Sequence, residues 1–160
     1  MESKEQAYFI DACRRGDLKE VEQLCALFPE LINSADAKGY TPLIIAAYGD
    51  HTAVVQHLLK AGAHPDAQDG AGNTALMGAA FKGYFDTATA LINAGADINL
   101  CNYQGAPALT FAATFGRLNI ARLLLEKGAN TQLADNRGKT PLDHARLQEN
   151  ELMVQLLQLH

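Results

Sequence analysis

The sequence predicts an all-α solenoid: stacked helix-turn-helix units joined by β-hairpin-like loops. Three observations lead there. Gly39, Gly72, Gly105 and Gly138 fall 33 residues apart, as do Leu43, Leu76, Leu109 and Leu142, and Ala46, Ala79, Ala112 and Ala145. Further columns keep the same step: Gly62-Ala63, Gly95-Ala96 and Gly128-Ala129, and Leu58, Leu91, Leu124 and Leu157. Within each period, two apolar runs at helical spacing are separated by turn residues. A fixed period of this size marks a repeated supersecondary unit. One helix pair with apolar faces on both sides cannot shield them alone, so units must stack into one elongated core.

Five units account for the chain, which forms one domain. The first, 4–34, is an N-terminal cap. Ser3 with Gln6 and Asp17 with Glu20 have the spacing of capping boxes, and Lys4, Glu5, Arg15, Lys19 and Glu22 give a polar outer face. The internal units are 35–68, 69–101 and 102–134. In the first of these, Thr41 suits a helix N-cap and Pro42 the first helical position. A short helix follows, with Leu43, Ala46 and Ala47 on one face, and small Ala lets a neighbouring helix come close. Asp50-His51 breaks it. A second helix carries Val54, Val55, Leu58 and Leu59 to about Ala61, and Gly62 suits a left-handed C-cap. Residues 63–72 are turn-rich. Asp36, Asp69 and Asp135 recur in step and should bond their own loop backbone. In the fourth unit Ala106-Pro107-Ala108 replaces the Thr-Pro start. Asp50 and Glu149 occupy the inter-helix place that Gly83 and Gly116 fill elsewhere, and Glu suits a left-handed backbone less well than Asp. The last unit, 135–160, is a C-terminal cap. Its Leu152, Met153, Leu156, Leu157 and Leu159 should mostly cover the fourth unit, with a leftover apolar edge open to dimerisation.

These residues resemble the ankyrin-repeat signature. Asp36-Ala37-Lys38-Gly39-Tyr40-Thr41-Pro42-Leu43-Ile44-Ile45-Ala46-Ala47 carries the likeness. So do Leu58-Leu59-Lys60-Ala61-Gly62-Ala63, Leu123-Leu124-Leu125-Glu126-Lys127-Gly128-Ala129-Asn130 and Asn136-Arg137-Gly138-Lys139-Thr140-Pro141-Leu142. The resemblance covers nearly the whole chain. It implies the solenoid fold and a protein partner held on the concave face and hairpin tips. The family usually places His after Thr-Pro-Leu. Here Ile44, Met77, Thr110 and Asp143 stand there, so that histidine's hydrogen bonds are absent or replaced.

Composition narrows the function. Of 160 residues, 48% are hydrophobic and 19% charged, too apolar for a disordered chain. A net charge of −5 argues against a nucleic-acid partner. No apolar run reaches the ~18–20 residues of a membrane span, so no membrane partner is expected. The start, Met1-Glu2-Ser3-Lys4-Glu5-Gln6, lacks the character of a secretory signal. Cys13, Cys25 and Cys101 cannot all pair with one another, and the sequence reads as a reduced cytoplasmic protein. Cys13 and Cys25 fall where small apolar residues pack, and Cys101 sits at a loop junction. The five His show no zinc-helix spacing, and Asp69-Gly70-Ala71-Gly72-Asn73-Thr74 lacks the ending of a phosphate loop. No nucleophile, base and orienting group assemble, so no enzyme, cofactor or metal is expected.

What is left is a surface. On the inner face the sequence collects Tyr40, Tyr48, Phe81, Tyr103 and Phe115 with Arg14, Lys38, Lys82, Arg137 and Lys139. Aromatics and Arg dominate interface energetics. The alternative use of Tyr48, Phe81 and Phe115 is packing against the next unit's first helix. Tyr84 and Phe85 begin a second helix and belong to the outer side. The expected function is a non-catalytic protein–protein interaction module, an adaptor for a segment with acidic and apolar parts. The chain is expected as a monomer, with a weak homodimer as the alternative. Two other classes stay open: a regulator or inhibitor of a specific enzyme or toxin (immunity-like or catalase-associated), and a self-associating scaffold.

Overall fold

Threonine opens three of the short helices. The hydroxyls of Thr41, Thr74 and Thr140 accept the backbone N–H of Ile44, Met77 and Asp143 at 3.2–3.3 Å, satisfying donors that a helix start leaves free. The computed structural model describes residues 2–160 and contains ten α-helices among them. They are α1 (Lys4–Arg15), α2 (Leu18–Leu27), α3 (Pro42–Tyr48), α4 (Thr52–Lys60), α5 (Ala75–Lys82), α6 (Phe85–Asn93), α7 (Ala108–Thr114), α8 (Leu118–Glu126), α9 (Pro141–Leu147) and α10 (Glu151–Gln158). A 3₁₀ turn at Pro29–Leu31 follows α2. There is no β-strand among the described residues, so the hairpin-like loops are turns. None of these helices is long and apolar enough to cross a membrane.

The odd-numbered helices form one layer and the even-numbered helices the other. Between them lie the fully buried columns Leu43, Leu76, Leu109 and Leu58, Leu91, Leu124. Ala46, Ala79, Ala112 and Ala145 are also fully buried, as are Ala47, Ala80 and Ala113. These methyl-sized side chains let the first helices lie closer together than the second helices do. That unequal spacing makes the odd-numbered layer the inner one. In the last unit the column of Ala47, Ala80 and Ala113 ends in Arg146, which is exposed. A charged, long side chain there opposes the stacking of a further unit.

Hydrogen bonds repeat with the period. The side-chain oxygens of Asp36, Asp69, Asn102 and Asp135 each accept two N–H groups of their own loop, two and four residues on, at 2.8–3.0 Å. The loops then join one another: Gly70 N–H to Lys38 carbonyl at 2.9 Å, Tyr103 to Ala71 at 3.1 Å and Asn136 to Gln104 at 2.9 Å. A second ladder runs past the ends of the even helices. Asn33, Asp66 and Asn99 accept the N–H of His64, Asp97 and Asn130 at 2.8 Å.

The expected capping boxes of the first unit are only half made. Ser3 accepts from Gln6 N–H, but the Gln6 amide reaches forward to the Ala35 carbonyl instead of back. Asp17 accepts from Glu20 N–H, while the Glu20 carboxylate takes the stronger charged donor, Arg15. Reciprocal boxes form instead at Thr74 with Met77, whose sulfur accepts the Thr74 N–H, and at Thr140 with Asp143. The backbone N–H of Thr140 and then its hydroxyl hold the Asp143 carboxyl below its ordinary value. Asp50 and Glu149 both adopt left-handed backbone, at φ 58° and 54°. Asp50 is compensated, since its carboxylate accepts the Thr87 hydroxyl at 2.9 Å.

Of the four residues standing in the place of the family's histidine, Thr110 is the anomaly. Its hydroxyl is buried with no partner, because the N-cap of α7 is Pro107, which has no N–H to offer. Leaving a buried hydroxyl unpaired costs about 1–3 kcal/mol. Replacing Thr110 by the similarly shaped Val should therefore raise stability by about 1 kcal/mol in urea unfolding; an unchanged or lower midpoint contradicts this assignment.

Candidate partner-binding face

The inner floor is built from the C-terminal ends of the odd helices. Tyr48 ends α3, and its ring lies over Gly78 of α5: a Cβ there would stand 3.0 Å from the ring. The absence of a side chain at Gly78 is what seats the ring. Tyr40 meets Tyr48 edge-on at 6.5 Å between centroids. One unit on, Phe81 and Phe115 form a tighter edge-to-face pair at 4.6 Å and 87°. Lys82 holds its ammonium 5.6 Å from the Phe81 centroid, within range of a cation–π contact. The Arg117 guanidinium donates to the Phe81 carbonyl at 3.2 Å, tying that end of α5 to the following unit.

The five aromatic residues thus divide. Tyr40, Tyr48 and Phe81 are half-buried; Tyr48 packs on Gly78 and Phe81 on Phe115, each in the following unit. Phe115, 45% exposed, and Tyr103, 66% exposed, are the two more open rings. Tyr103 is placed by its backbone bond to Ala71 and by Gly72, at φ 80°, where a Cβ would come within 2.6 Å of the tyrosine.

The cations divide too. Arg14 is exposed but 3.9 Å from Asp11. Its neighbour Arg15 is spent on Asp11, Asp17 and Glu20. Lys38, Lys82, Arg137 and Lys139 are exposed and make no ion pair among the described residues. The loop carboxylates below the tips blunt their field, but each is turned toward its own backbone. Asp135 also takes the His144 ring nitrogen at 2.7 Å, a pairing that the sequence did not suggest because nine residues of turn and helix separate the two. Gln104, Asp135, Asn136, Arg137 and His144 line a depression at this end of the tips.

Other groups lie away from this face. Cys13 and Cys25 are buried; burial, with Cys25 beside it, pushes the Cys13 thiol up to about 12, and burial also raises Cys25. Cys101 is half-buried, with its thiol raised by burial and then by Asp97. All three are therefore held as thiols near neutral pH. Among the described residues no three His, Cys, Asp or Glu side chains gather as a metal site. A depression lies on the outer layer between α4 and α6, where Lys60 is its one charged lining residue. Phe85 starts α6 on that outer side and lines a depression with Asn119, Arg122 and Leu123. In α10, Met153 and Leu157 are buried, Leu156 is half-buried and Leu152 is 63% exposed, and Leu159 just beyond it is 82% exposed.

The family model for ankyrin repeats (3 copies) matches residues 9–102 and, in a second overlapping match, 76–160. The BTB/POZ domain-containing protein 3 of Schizosaccharomyces pombe is 39% identical over 62 residues, a stretch that is 39% of this chain and 12% of that protein. The chain therefore spans only a small part of that relative's length. It belongs to the ankyrin-repeat family. Ankyrin repeats are generally protein–protein interaction modules, and the family is typically non-catalytic.

The seating of Tyr48 has a measurable consequence. Burial first, then Asp69 and Tyr40, raise its phenol above the ordinary value near 10. The folded state thus favours the neutral phenol. Its contribution is complete below pH 10 and lost as pH rises through the higher folded value. Stability should decline above about pH 10, and Tyr48→Phe should remove part of that decline in denaturant titrations; parallel pH profiles for the two proteins contradict the seating.

Proposed function

We propose that this chain is a non-catalytic adaptor that captures another protein between its inner helix layer and its loop tips. In this reading the partner offers an apolar anchor to Phe115 and Tyr103. Acidic neighbours of that anchor are chosen by Lys38, Lys82, Arg137 and Lys139. Arg14 contributes less, since Asp11 shares its charge. Tyr40, Tyr48 and Phe81 hold the floor and offer ring edges. Units 35–68, 69–101 and 102–134 supply most of the surface, flanked by caps at 4–34 and 135–160, and the setting is the cytoplasm.

The observation that carries the proposal is the company these residues keep. In a chain of net charge −5, four cations with no ion pair among the described residues and two exposed rings share the tips and inner edge. The loops that bear them are cross-linked by backbone hydrogen bonds. Large rings bury 150–250 Å² each on contact, by the usual measure of about that area per aromatic side chain. A pre-formed face also loses less entropy on association. Regulation or inhibition of an enzyme or toxin, immunity-like or catalase-associated, would use the same contacts with a different outcome. Self-association is favoured by one separate observation, the exposed Leu147, Leu152 and Leu159 at the last unit.

Capture from the native host separates these readings. Phe115→Ala and Tyr103→Ala together should weaken binding of the captured protein at least about tenfold, some 1.4 kcal/mol or more. Their helical circular dichroism should match the parent, because both rings are exposed. Full-strength capture by the double variant means that another surface binds. Loss of capture on substituting Leu152 and Leu159 by polar residues, with the captured species being the chain itself, means the scaffold reading is the right one.

A further inference from the structure

We infer that the face takes an extended peptide segment bearing two acidic clusters about eight or nine residues apart, with an uncharged apolar centre. This rests on the partner-binding reading above and deepens it.

Charge is unevenly distributed along the tips. Equivalent tip positions along the stack are Lys38, Ala71, Gln104 and Arg137, with Lys139 beside the last. Charge therefore stands at the two ends of the tip row and is missing from its middle. The middle carries the Tyr103 ring instead, 66% exposed. Phe115, at the end of α7 in the same unit, pairs with Phe81, and the Lys82 ammonium is engaged over the Phe81 ring. Asp69 and Asn102, the loop acceptors of the two middle units, are buried and accept backbone N–H groups, so neither side chain is displayed at the centre.

Distance follows from the stacking. Helices α3, α5, α7 and α9 succeed one another in direct contact. Packed helix axes stand about 8–10 Å apart, so three steps separate the end cations by roughly 25–30 Å. An extended chain covers about 3.3 Å per residue, which gives the eight or nine residues. A helical segment needs about eighteen residues for the same span, at about 1.5 Å each. For a segment unstructured in solution that is twice the backbone to order. Charge complementarity thus favours an acid–apolar–acid peptide lying along the tips.

Labelled synthetic peptides and fluorescence anisotropy test this. The first has a pair of Glu at each end of about seven uncharged residues centred on Leu and Phe, matching the extended spacing. The second has the same composition with all Glu at one end. The third carries Gln for Glu. The first should bind the intact chain at least about tenfold more tightly than the second, and lose affinity steeply with salt. Lys38→Glu with Arg137→Glu should remove that difference, and a peptide with Lys in place of Glu should then prefer the double variant to the parent. Equal affinity for the first two peptides overturns the spacing, and so does the absence of binding by all three. Binding that ignores Phe115→Ala overturns the partner-binding reading itself, a distinct failure.

Discussion

Every feature of this chain depends on neighbours shielding one another from water. A pair of short helices exposes apolar side chains on both sides, and only the next pair covers them. The columns of Ala46, Ala79 and Ala112 and of Ala47, Ala80 and Ala113 set how closely the pairs approach. Larger residues there would force the inner helices apart and open the Leu columns behind them. The inner face is thus a by-product of the core: its helix ends line up because the small alanines below them let the inner helices approach.

The loops add direction to this packing. Each tip is closed by an Asp or Asn that accepts two N–H groups, and adjacent tips share a backbone hydrogen bond. At the opposite end of the unit, Asn33, Asp66 and Asn99 reach into the following unit. Buried apolar contact is indifferent to small rotations, whereas these bonds are not. They fix the twist between units, and so the line along which Lys38, Tyr103 and Arg137 are displayed.

Much of this was legible before any coordinates. Helix starts at Thr41-Pro42 and Thr140-Pro141 and loop bonding by Asp36, Asp69 and Asp135 follow from local rules about single residues, whereas the turns at Asp50 and Glu149 follow from their place in the period. What the sequence hid were choices between partners. Gln6 and Glu20 each had two acceptable targets, and the longer-range one won. The column of Asn33, Asp66 and Asn99 keeps the period but mixes Asn with Asp, and its partners lie 31 residues on, beyond any local pattern. The seating of Tyr48 turns on the missing side chain of Gly78, thirty residues away, so neither residue announces it alone. Aromatic spacing located a ring-rich edge; it could not apportion the rings between packing and display.

The central claim is that a partner lies along the inner helix ends and tips, on a scaffold held rigid by stacking. Hydrogen exchange followed by mass spectrometry, on the chain alone and with its captured partner, tests it most directly. The account predicts added protection in peptides covering residues 36–40, 102–106, 113–116 and 135–139, with the even helices unchanged. Protection confined to α4, α6 and α8, with the tips exchanging as in the free chain, contradicts it.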